Sequence, residues 1–279
     1  MKTAFLFFCG RPNDFSKKIK KLKQALSALD NVDFYSVGFS NSSSEFPEGH
    51  INFSEKDWQN LGYPNKGLNQ ERQFSLKPGN CDLPIIMFAQ QFSDYEYVYV
   101  MEDDVEYTGD IATLLSELAR DKADLLCTHL HDCPSKWDYK DAFTSQIDSG
   151  GDKLKLCFLP FFRISKRGLT SIHDAYKEGL YGHHEIVWPY VLLQQGMKVQ
   201  DIGGDNLYTS PEYINKYYQG KVDSTGRKNG TFTPTPPKLK AGAQKNTLYH
   251  PIKPLKPYLE GRFKRAKSIL KYYTNKISS

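Results

Sequence analysis

Three consecutive carboxylates, Glu102, Asp103 and Asp104, directly follow an apolar run at residues 95–101. Apolar and polar residues alternate at the start of this run and its later residues are all apolar, a pattern that predicts a central β-strand. Ligands in open α/β sheets bind outside the carboxyl ends of strands. Adjacent like charges are costly to remove from water unless a cation compensates them. Carboxylate oxygens suit Mg²⁺ or Mn²⁺, usually shared with a phosphate-bearing substrate. The alternative is a solvated acidic turn.

A second group of polar residues is the sequence GHHE at residues 182–185, which opens a predicted helix over 184–195. Successive helical residues point about 100° apart, so His183 and His184 are not expected to chelate one metal. A carboxylate within hydrogen-bond reach of a substrate hydroxyl can act as a general base, and Glu185 is a candidate for that role. The alternative is an early-turn acid that favours the helix dipole.

The first forty residues predict a strand, a helix and a second strand. Residues 3–9 form a continuous apolar run of the kind that is buried on both faces of a sheet. Residues 13–29 place apolar side chains at helical spacing against a lysine-rich outer face. Residues 31–39 predict the second strand, and this order favours a parallel sheet of the α/β type.

The alternation of strands and helices continues to about residue 205. Further helices are predicted over residues 82–92, 110–121, 165–179 and 184–195, and further strands over 95–101, 123–130, 154–165 (a strand pair or one bent strand) and 197–203. Asp82 is the expected N-cap of its helix, with Pro84 in the first turn. The polar residues 40–80 favour a functional loop. Residues 206–247 lack a period and are rich in turn formers, which predicts a mobile loop.

Composition indicates a globular protein, since 39% of the 279 residues are hydrophobic and 25% are charged. The net charge of +5 is too small to indicate a nucleic-acid partner by itself. Five cysteines without a CxxC pair favour a reducing compartment. The first apolar run stops at Arg11-Pro12, short of a signal peptide, and no stretch approaches the ~20 apolar residues of a membrane span. We therefore expect a soluble, cytoplasmic protein.

The segment VYVMEDDVEYTGD at residues 98–110 resembles the acidic metal-binding motif, often called DxD or EDD, of GT-A-fold glycosyltransferases. The resemblance covers most of residues 1–205, with a weaker one at residues 248–251. It implies a Rossmann-like α/β fold with a mixed, mostly parallel sheet flanked by helices. It also implies one catalytic domain over 1–250 followed by a basic tail over 251–279. Within that domain, the donor half would cover about 1–109, the acceptor half about 110–205 and the mobile loop about 206–247.

The resemblance implies a role for each residue of the acidic motif. Asp104 matches a direct ligand of Mn²⁺ or Mg²⁺, Asp103 matches an acid that contacts the ribose or a metal-bound water, and Glu102 supports them. Several GT-A families close the metal shell with a histidine from a C-terminal segment, so Asp103, Asp104 and His250 are the expected ligands. For His250 the alternative is a structural role. The donor contacts expected are Gly10, Arg11, Lys77, Asp82, Glu102 and Asp103.

In GT-A enzymes that invert the anomeric centre, a carboxylate near the start of a late helix removes the proton of the acceptor hydroxyl. Glu185 matches that place. Enzymes that retain the configuration use the same metal motif, so retention is the alternative outcome. The acceptor contacts expected beside the base are His131, His184 and Trp188.

The tail from residue 251 combines eight basic residues with the single acid Glu260. Aromatic and aliphatic residues between the cations predict an amphipathic helix that lies on an anionic membrane. The alternative is a solvated, fraying helix. No recognised nucleic-acid-binding module accompanies the charge, so nucleic acid is not the expected partner.

Together these features predict a metal-dependent glycosyltransferase of the bacterial surface-glycan type. It would move a sugar from a nucleotide-sugar to a glycan or lipid-linked acceptor at the inner face of the membrane. UDP is the nucleotide expected in the donor. One alternative is a sugar nucleotidyltransferase, although CGRPNDF at residues 9–15 lacks the glycine-rich signature expected after the first strand. The other is a non-catalytic scaffold that binds glycans or membranes.

Overall fold

The computed structural model describes most of the chain. The described residues are 2–40, 46–76, 79–137, 139–140, 143, 146–147, 154–205, 207–223, 225–255, 258–259 and 263. Lys77 and most of the basic tail lie outside these ranges, so the predictions made for them are not addressed by the structure.

Nine strands form two sheets within the described residues. Their bounds are β1 Thr3–Phe8, β2 Val32–Phe39, β3 His50–Phe53, β4 Tyr97–Glu102, β5 Glu106–Tyr107, β6 Leu125–Asp132, β7 Lys155–Ser165, β8 Val199–Asp201 and β9 Leu248–Tyr249. The large sheet has the order β3-β2-β1-β4-β7-β6-β8, and the small one pairs β5 with β9. In the large sheet, β7 runs antiparallel to β4 and β6, and all other pairs are parallel. The mixed, mostly parallel α/β sheet is therefore confirmed.

Helices cover both faces of the large sheet because its central strands are apolar on both sides. The helices are α1 Ser16–Leu26, α2 Glu55–Gln59, α3 Leu83–Gln91, α4 Ile111–Leu118, α5 Lys166–Lys177 and α6 His184–Gln194. Successive residues of β1 enter opposite cores, as the period of two requires. Leu6 joins the cluster that contains Phe88 of α3 and Trp188 of α6. Phe7 joins the cluster that contains Leu22 of α1 and Leu115 of α4.

The structure differs from the sequence-based expectation at residues 40–80, which are not one long loop, because β3 and α2 form inside them. Of the two alternatives for residues 154–165, the structure shows the single strand. The pairing of β7 with β6 shifts register between Leu126 and Thr128 and again between Thr128 and His131. Such shifts bend a strand without breaking it.

The segment after β8 has little regular structure, as its composition predicts. Its described residues form turns and isolated bridges, such as those between Val222 and Lys228 and between Phe232 and His250. Tyr218 and Phe232 from this segment are nevertheless fully buried. The segment is thus anchored to the core by aromatic side chains, and its mobility stays a prediction.

Candidate functional site

The candidate site lies at the carboxyl end of β4. The strand ends at Glu102, and Phe8, the last residue of β1, stands opposite Glu102 in the parallel register. The loop after β1 and the acidic turn after β4 therefore leave the sheet side by side. Consistent with this, the charge of Arg11 acts to lower the pKa of Asp103.

A C-terminal segment pairs with the chain that follows the acidic turn. β9 runs antiparallel to β5, with Tyr249 opposite Glu106. Beyond the strand, the Ile252 N–H donates to the Asp104 carbonyl at 2.7 Å. These backbone contacts hold His250 beside the acidic turn.

Three side chains meet at this point and could hold one metal ion. A potential ligand atom of each of Glu102, Asp104 and His250 lies within 4.8 Å of those of the other two. The His250 Nε2 atom is 3.1 Å from Asp104 Oδ1 and 4.0 Å from Glu102 Oε2. On the far side of the same carboxylate, the Lys253 ammonium contacts Asp104 Oδ2.

The hydrogen bonds of His250 leave one ring nitrogen directed at the two carboxylates. Its Nδ1 atom lies 2.6 Å from the Thr233 carbonyl oxygen, which can only accept, so Nδ1 carries the proton. Nε2 then faces two carboxylates, and a metal ion between them could bind all three groups. An imidazole whose other N–H donates to a backbone carbonyl is the usual arrangement for a metal ligand. The residues present therefore fit a divalent metal.

Charge and burial act on the three acidic residues in different ways. The pKa of Glu102 is raised to about 8, mainly by burial and further by the charges of Asp104 and Asp103. Burial and the charge of Asp104 likewise raise the pKa of Asp103 to about 6. Burial alone would raise the pKa of Asp104, but His250 and Lys253 outweigh it and lower that pKa to about 2. Ionisation of all three acids would thus place more negative charge in the turn than its lysines compensate.

Asp103, an expected metal ligand, does not belong to the group of three. Its place is taken by Glu102, which the sequence suggested only as a supporting residue. The Lys18 ammonium instead donates to the Asp103 backbone carbonyl at 3.1 Å and to Glu106 Oε1 at 2.9 Å. β4 ends at Glu102 and Asp104 lies in the turn that follows, so no strand period predicts which of these acids meet.

Glu185 lies in the first turn of α6, as predicted, and its side chain is 14% exposed. Its Oε1 atom accepts the Leu159 N–H of β7 at 3.4 Å. Burial raises the pKa of Glu185 to about 7. The neighbouring Phe158 ring packs 5.2 Å from the His250 ring. Two adjacent residues of β7 therefore connect the proposed base with the proposed metal cluster.

Asp82 and Trp188 have no exposed surface, contrary to their expected donor and acceptor contacts. Asp82 is the N-cap residue of α3 by position, but its carboxylate faces the core. It pairs with Lys66 at 3.0 Å and accepts hydrogen bonds from Tyr176 at 2.7 Å and from Trp188 Nε1 at 3.0 Å. All four side chains are fully buried, so the structure assigns Asp82 and Trp188 a structural role instead.

The remaining predicted contacts belong to the end of β6, the start of α6 and the loop after β1. His131 is buried near the end of β6. His184 lies at the start of α6 with its Nδ1 atom 3.1 Å from the Gly79 carbonyl. Gly10 is exposed and has open space where a side chain would start. Arg11 is exposed and pairs with Asp14 at 3.4 Å.

Three lysines of the site were not predicted from the sequence. Lys18 and Lys253 contact the acidic turn, and the Lys228 ammonium lies 5.3 Å from the centre of the Phe158 ring. Lys253 follows His250 on the same segment, so its proximity could have been inferred. Nothing local distinguishes Lys228 from the other lysines of an aperiodic segment.

Comparisons with known proteins bear on the fold only. No protein-family model and no curated protein sequence matches this chain. Among solved structures, a proposed nucleotide-diphospho-sugar transferase of Desulfovibrio desulfuricans G20 is 14% identical, covering 72% of this chain and 80% of its own at a TM-score of 0.38. The mannosyltransferase Ktr4p of S. cerevisiae is 10% identical over 72% of this chain and 68% of its own, at 0.38. Mouse xyloside xylosyltransferase 1 is 10% identical, covering 74% of this chain and 88% of its own at a TM-score of 0.38. These low scores leave the function to be inferred from the site geometry.

The described helices are all too short or too polar to span a bilayer.

Proposed function

We propose that this chain is a metal-dependent glycosyltransferase that moves a sugar from a nucleotide-sugar, UDP-linked by preference, to a glycan or lipid-linked acceptor. The observation that carries the proposal is the His250 Nε2 atom held against Glu102 and Asp104 at the carboxyl end of β4. That edge of an α/β sheet is where a nucleotide-bearing ligand would bind. It is also the edge that the GT-A resemblance assigns to the donor.

Glu102, Asp104 and His250 would hold the metal. Two carboxylates and one imidazole suit Mn²⁺ better than Mg²⁺, which prefers an all-oxygen shell. When bound, the metal would supply positive charge for the departing diphosphate. Lys253 sits on the same carboxylate and can turn from Asp104 towards that diphosphate. Gly10 and Arg11 would lie beside the nucleoside, and Asp103 would contact its ribose.

Glu185 would remove the proton of the acceptor hydroxyl. A base with a pKa of about 7 is half ionised at neutral pH and takes up a proton readily. The Leu159 N–H fixes one carboxylate oxygen and leaves the other for the acceptor. The acceptor oxygen would then attack the anomeric carbon of the donor sugar from the Glu185 side, opposite a diphosphate held at the acidic turn. The reaction would be a single in-line displacement with inversion.

The tail would bring the enzyme to its acceptor at the inner face of a membrane. Leu255, Leu259 and Phe263 are 61%, 42% and 66% exposed and lie four residues apart, the spacing of one helical face. They stand at the start of the basic segment. Apolar side chains beside clustered cations are what an anionic bilayer surface binds.

The first test is thermal stability of the purified chain with UDP, GDP, ADP and their sugar conjugates, each with and without Mn²⁺. A ligand that binds only the folded state raises the melting temperature by mass action. We expect a shift for one nucleobase series that requires Mn²⁺. Asp104→Asn should abolish it, whereas Asp94→Asn, an exposed carboxylate of α3's following turn, should not.

A shift that is independent of metal, or unchanged in Asp104→Asn, would contradict the metal role. Product analysis separates the rival functions. Release of a nucleoside diphosphate from a nucleotide-sugar supports transfer, whereas formation of pyrophosphate from a nucleoside triphosphate and a sugar 1-phosphate would support a nucleotidyltransferase. Binding without turnover would support the scaffold.

A further inference from the structure

Lys228 lies at the base of a compact turn. The Asp223 carboxylate accepts the backbone N–H groups of Thr225 at 2.9 Å and Arg227 at 3.0 Å. Val222 and Lys228 form an antiparallel bridge at the base of the turn. At its tip, a Cβ added to Gly226 would lie 2.3 Å from the Pro134 ring, so the turn packs tightly on the chain after β6. The position of Lys228 is therefore set by its surroundings.

The Lys228 ammonium has no anionic partner among the described residues. It lies 5.3 Å from the centre of the Phe158 ring, a distance at which the ring face attracts a cation. Phe158 also contacts His250 on the metal side and precedes Leu159, which binds Glu185. A half-buried cation beside a proposed base, without a carboxylate of its own, is suited to bind an anionic ligand.

The groups on which the Lys228 charge acts favour a position on the Glu185 side of Phe158. Its charge acts to lower the pKa of Glu185, His131 and His183. On the other side, the cations that act most strongly on the acidic turn are Lys253, Lys18 and Arg11. A diphosphate at the metal would lie nearer those three. Lys228 is therefore placed for the acceptor rather than the donor.

His131 offers a complementary group. Its Nδ1 atom bonds to the His129 carbonyl and must carry the proton. Its Nε2 atom is then an acceptor that is buried without a hydrogen-bond partner, in a side chain only 8% exposed. Burial lowers the pKa of His131 to about 4, so the ring stays neutral at physiological pH. A sugar hydroxyl is a donor that such a nitrogen lacks.

We propose that the acceptor is an anionic sugar, whose carboxylate or phosphate binds Lys228 while a hydroxyl faces Glu185 and another donates to His131. This inference rests on the proposed function, since it assigns the acceptor of that same site. It adds a specificity-determining residue, Lys228, that the acidic motif does not indicate.

The test is calorimetric titration of the full chain, saturated with UDP and Mn²⁺, with matched pairs of probes. Methyl glucuronide is compared with methyl glucoside, and glucose 6-phosphate with glucose. We expect one anionic member to bind about tenfold more tightly than its neutral partner, as a charge-assisted hydrogen bond supplies. Whether the glucuronide or the phosphate shows the gain distinguishes the two anions.

Lys228→Gln should remove the preference and Lys228→Arg should keep most of it. Lys221→Gln is the matched control, because Lys221 lies on the same segment but is 66% exposed and paired with Asp205. Equal affinity for both members of each pair would overturn the proposal, and so would weaker UDP binding in Lys228→Gln. Absence of UDP binding in the wild-type chain would contradict the proposed function and, with it, the assignment of the anion as an acceptor, whereas UDP binding without a preference for anions would contradict this inference alone.

Discussion

Asp104 is shared between His250 and Lys253, and the two contacts have opposite consequences for a metal. His250 would remain as a ligand, whereas the Lys253 ammonium competes with any cation for the same carboxylate. Lys253→Met removes the competitor and leaves the acidic turn less compensated. We expect Mn²⁺ affinity without nucleotide to rise several-fold in calorimetric titration.

The same variant should bind UDP more weakly when Mn²⁺ is present, because the diphosphate loses a cation. This opposite sign distinguishes a site residue from a merely structural lysine. Lys240→Met, at an exposed position of the preceding segment, should leave both affinities unchanged. Unaltered Mn²⁺ affinity in Lys253→Met would show that the ammonium does not compete with the metal.

Glu185 must be ionised to accept a proton, so the rate of transfer should depend on pH. Because burial raises the pKa of Glu185 to about 7, kcat/KM should fall as the pH drops below 7. Glu185→Gln should lower kcat by roughly 10²- to 10⁴-fold and leave UDP affinity near that of the wild type. A rate that is unaffected by the substitution, or flat between pH 5 and 8, would remove Glu185 from the mechanism.

The raised pKa also has a consequence for stability. An acid whose pKa is higher in the folded state than its ordinary value of 4.5 opposes folding once it ionises. The resulting loss in the free energy of unfolding is absent below pH 4.5, grows between pH 4.5 and 7 and is complete above pH 7. Glu185→Gln should therefore melt at a higher temperature than the wild type at pH 8 and at the same temperature at pH 4. Equal melting temperatures at both pH values would contradict the raised pKa.

At the scale of elements, the start of α6 is held by a buried lysine. Lys66 Nζ donates to the carbonyls of Gly79 at 2.8 Å and Gly182 at 3.1 Å, and it pairs with Asp82. These bonds join the turn before α3 to the turn before α6, and Glu185 lies in the first turn of α6. The buried Lys66 ammonium thus helps to position the proposed base.

Lys66→Met should destabilise the fold by about 3–5 kcal/mol, because it leaves the Asp82 carboxylate buried without a counter-charge. Urea denaturation would measure the change. The double variant Lys66→Met, Asp82→Asn should recover part of the loss, since no charge then remains buried. Lys20→Met, on the exposed face of α1, is the matched control. A loss no larger than that of the control would show that the pair is not needed.

At the scale of the whole molecule, the basic tail would govern where the enzyme works. The full chain should co-sediment with vesicles that contain phosphatidylglycerol and not with vesicles of phosphatidylcholine alone, because cations near an anionic surface add attraction. Phe263→Glu should weaken this binding, since it places a carboxylate among the apolar side chains. Binding that is equal for both vesicles would remove the membrane from the proposal.

Most strands of the large sheet could be predicted, because each of these is an apolar run bounded by turn formers. β4, expected over 95–101, spans Tyr97–Glu102. β3 and α2 were missed because they have only four and five residues, too few to show a period. The burial of Asp82 could not be predicted, since its partners Lys66 and Trp188 come from distant segments. A local pattern contains no information about such contacts.

The pairing of β5 with β9 also sets when the protein can first become active. Lys253 and Asp104 are 149 residues apart, and His250 reaches the acidic turn only through the strand that precedes it. At about 5–20 residues per second, a ribosome needs roughly 7 to 30 seconds to make the chain between them. Throughout that interval a nascent chain has the acidic turn without His250 and Lys253 beside it. If the proposed metal site is correct, the chain can hold a metal ion there only after residue 253 has been made.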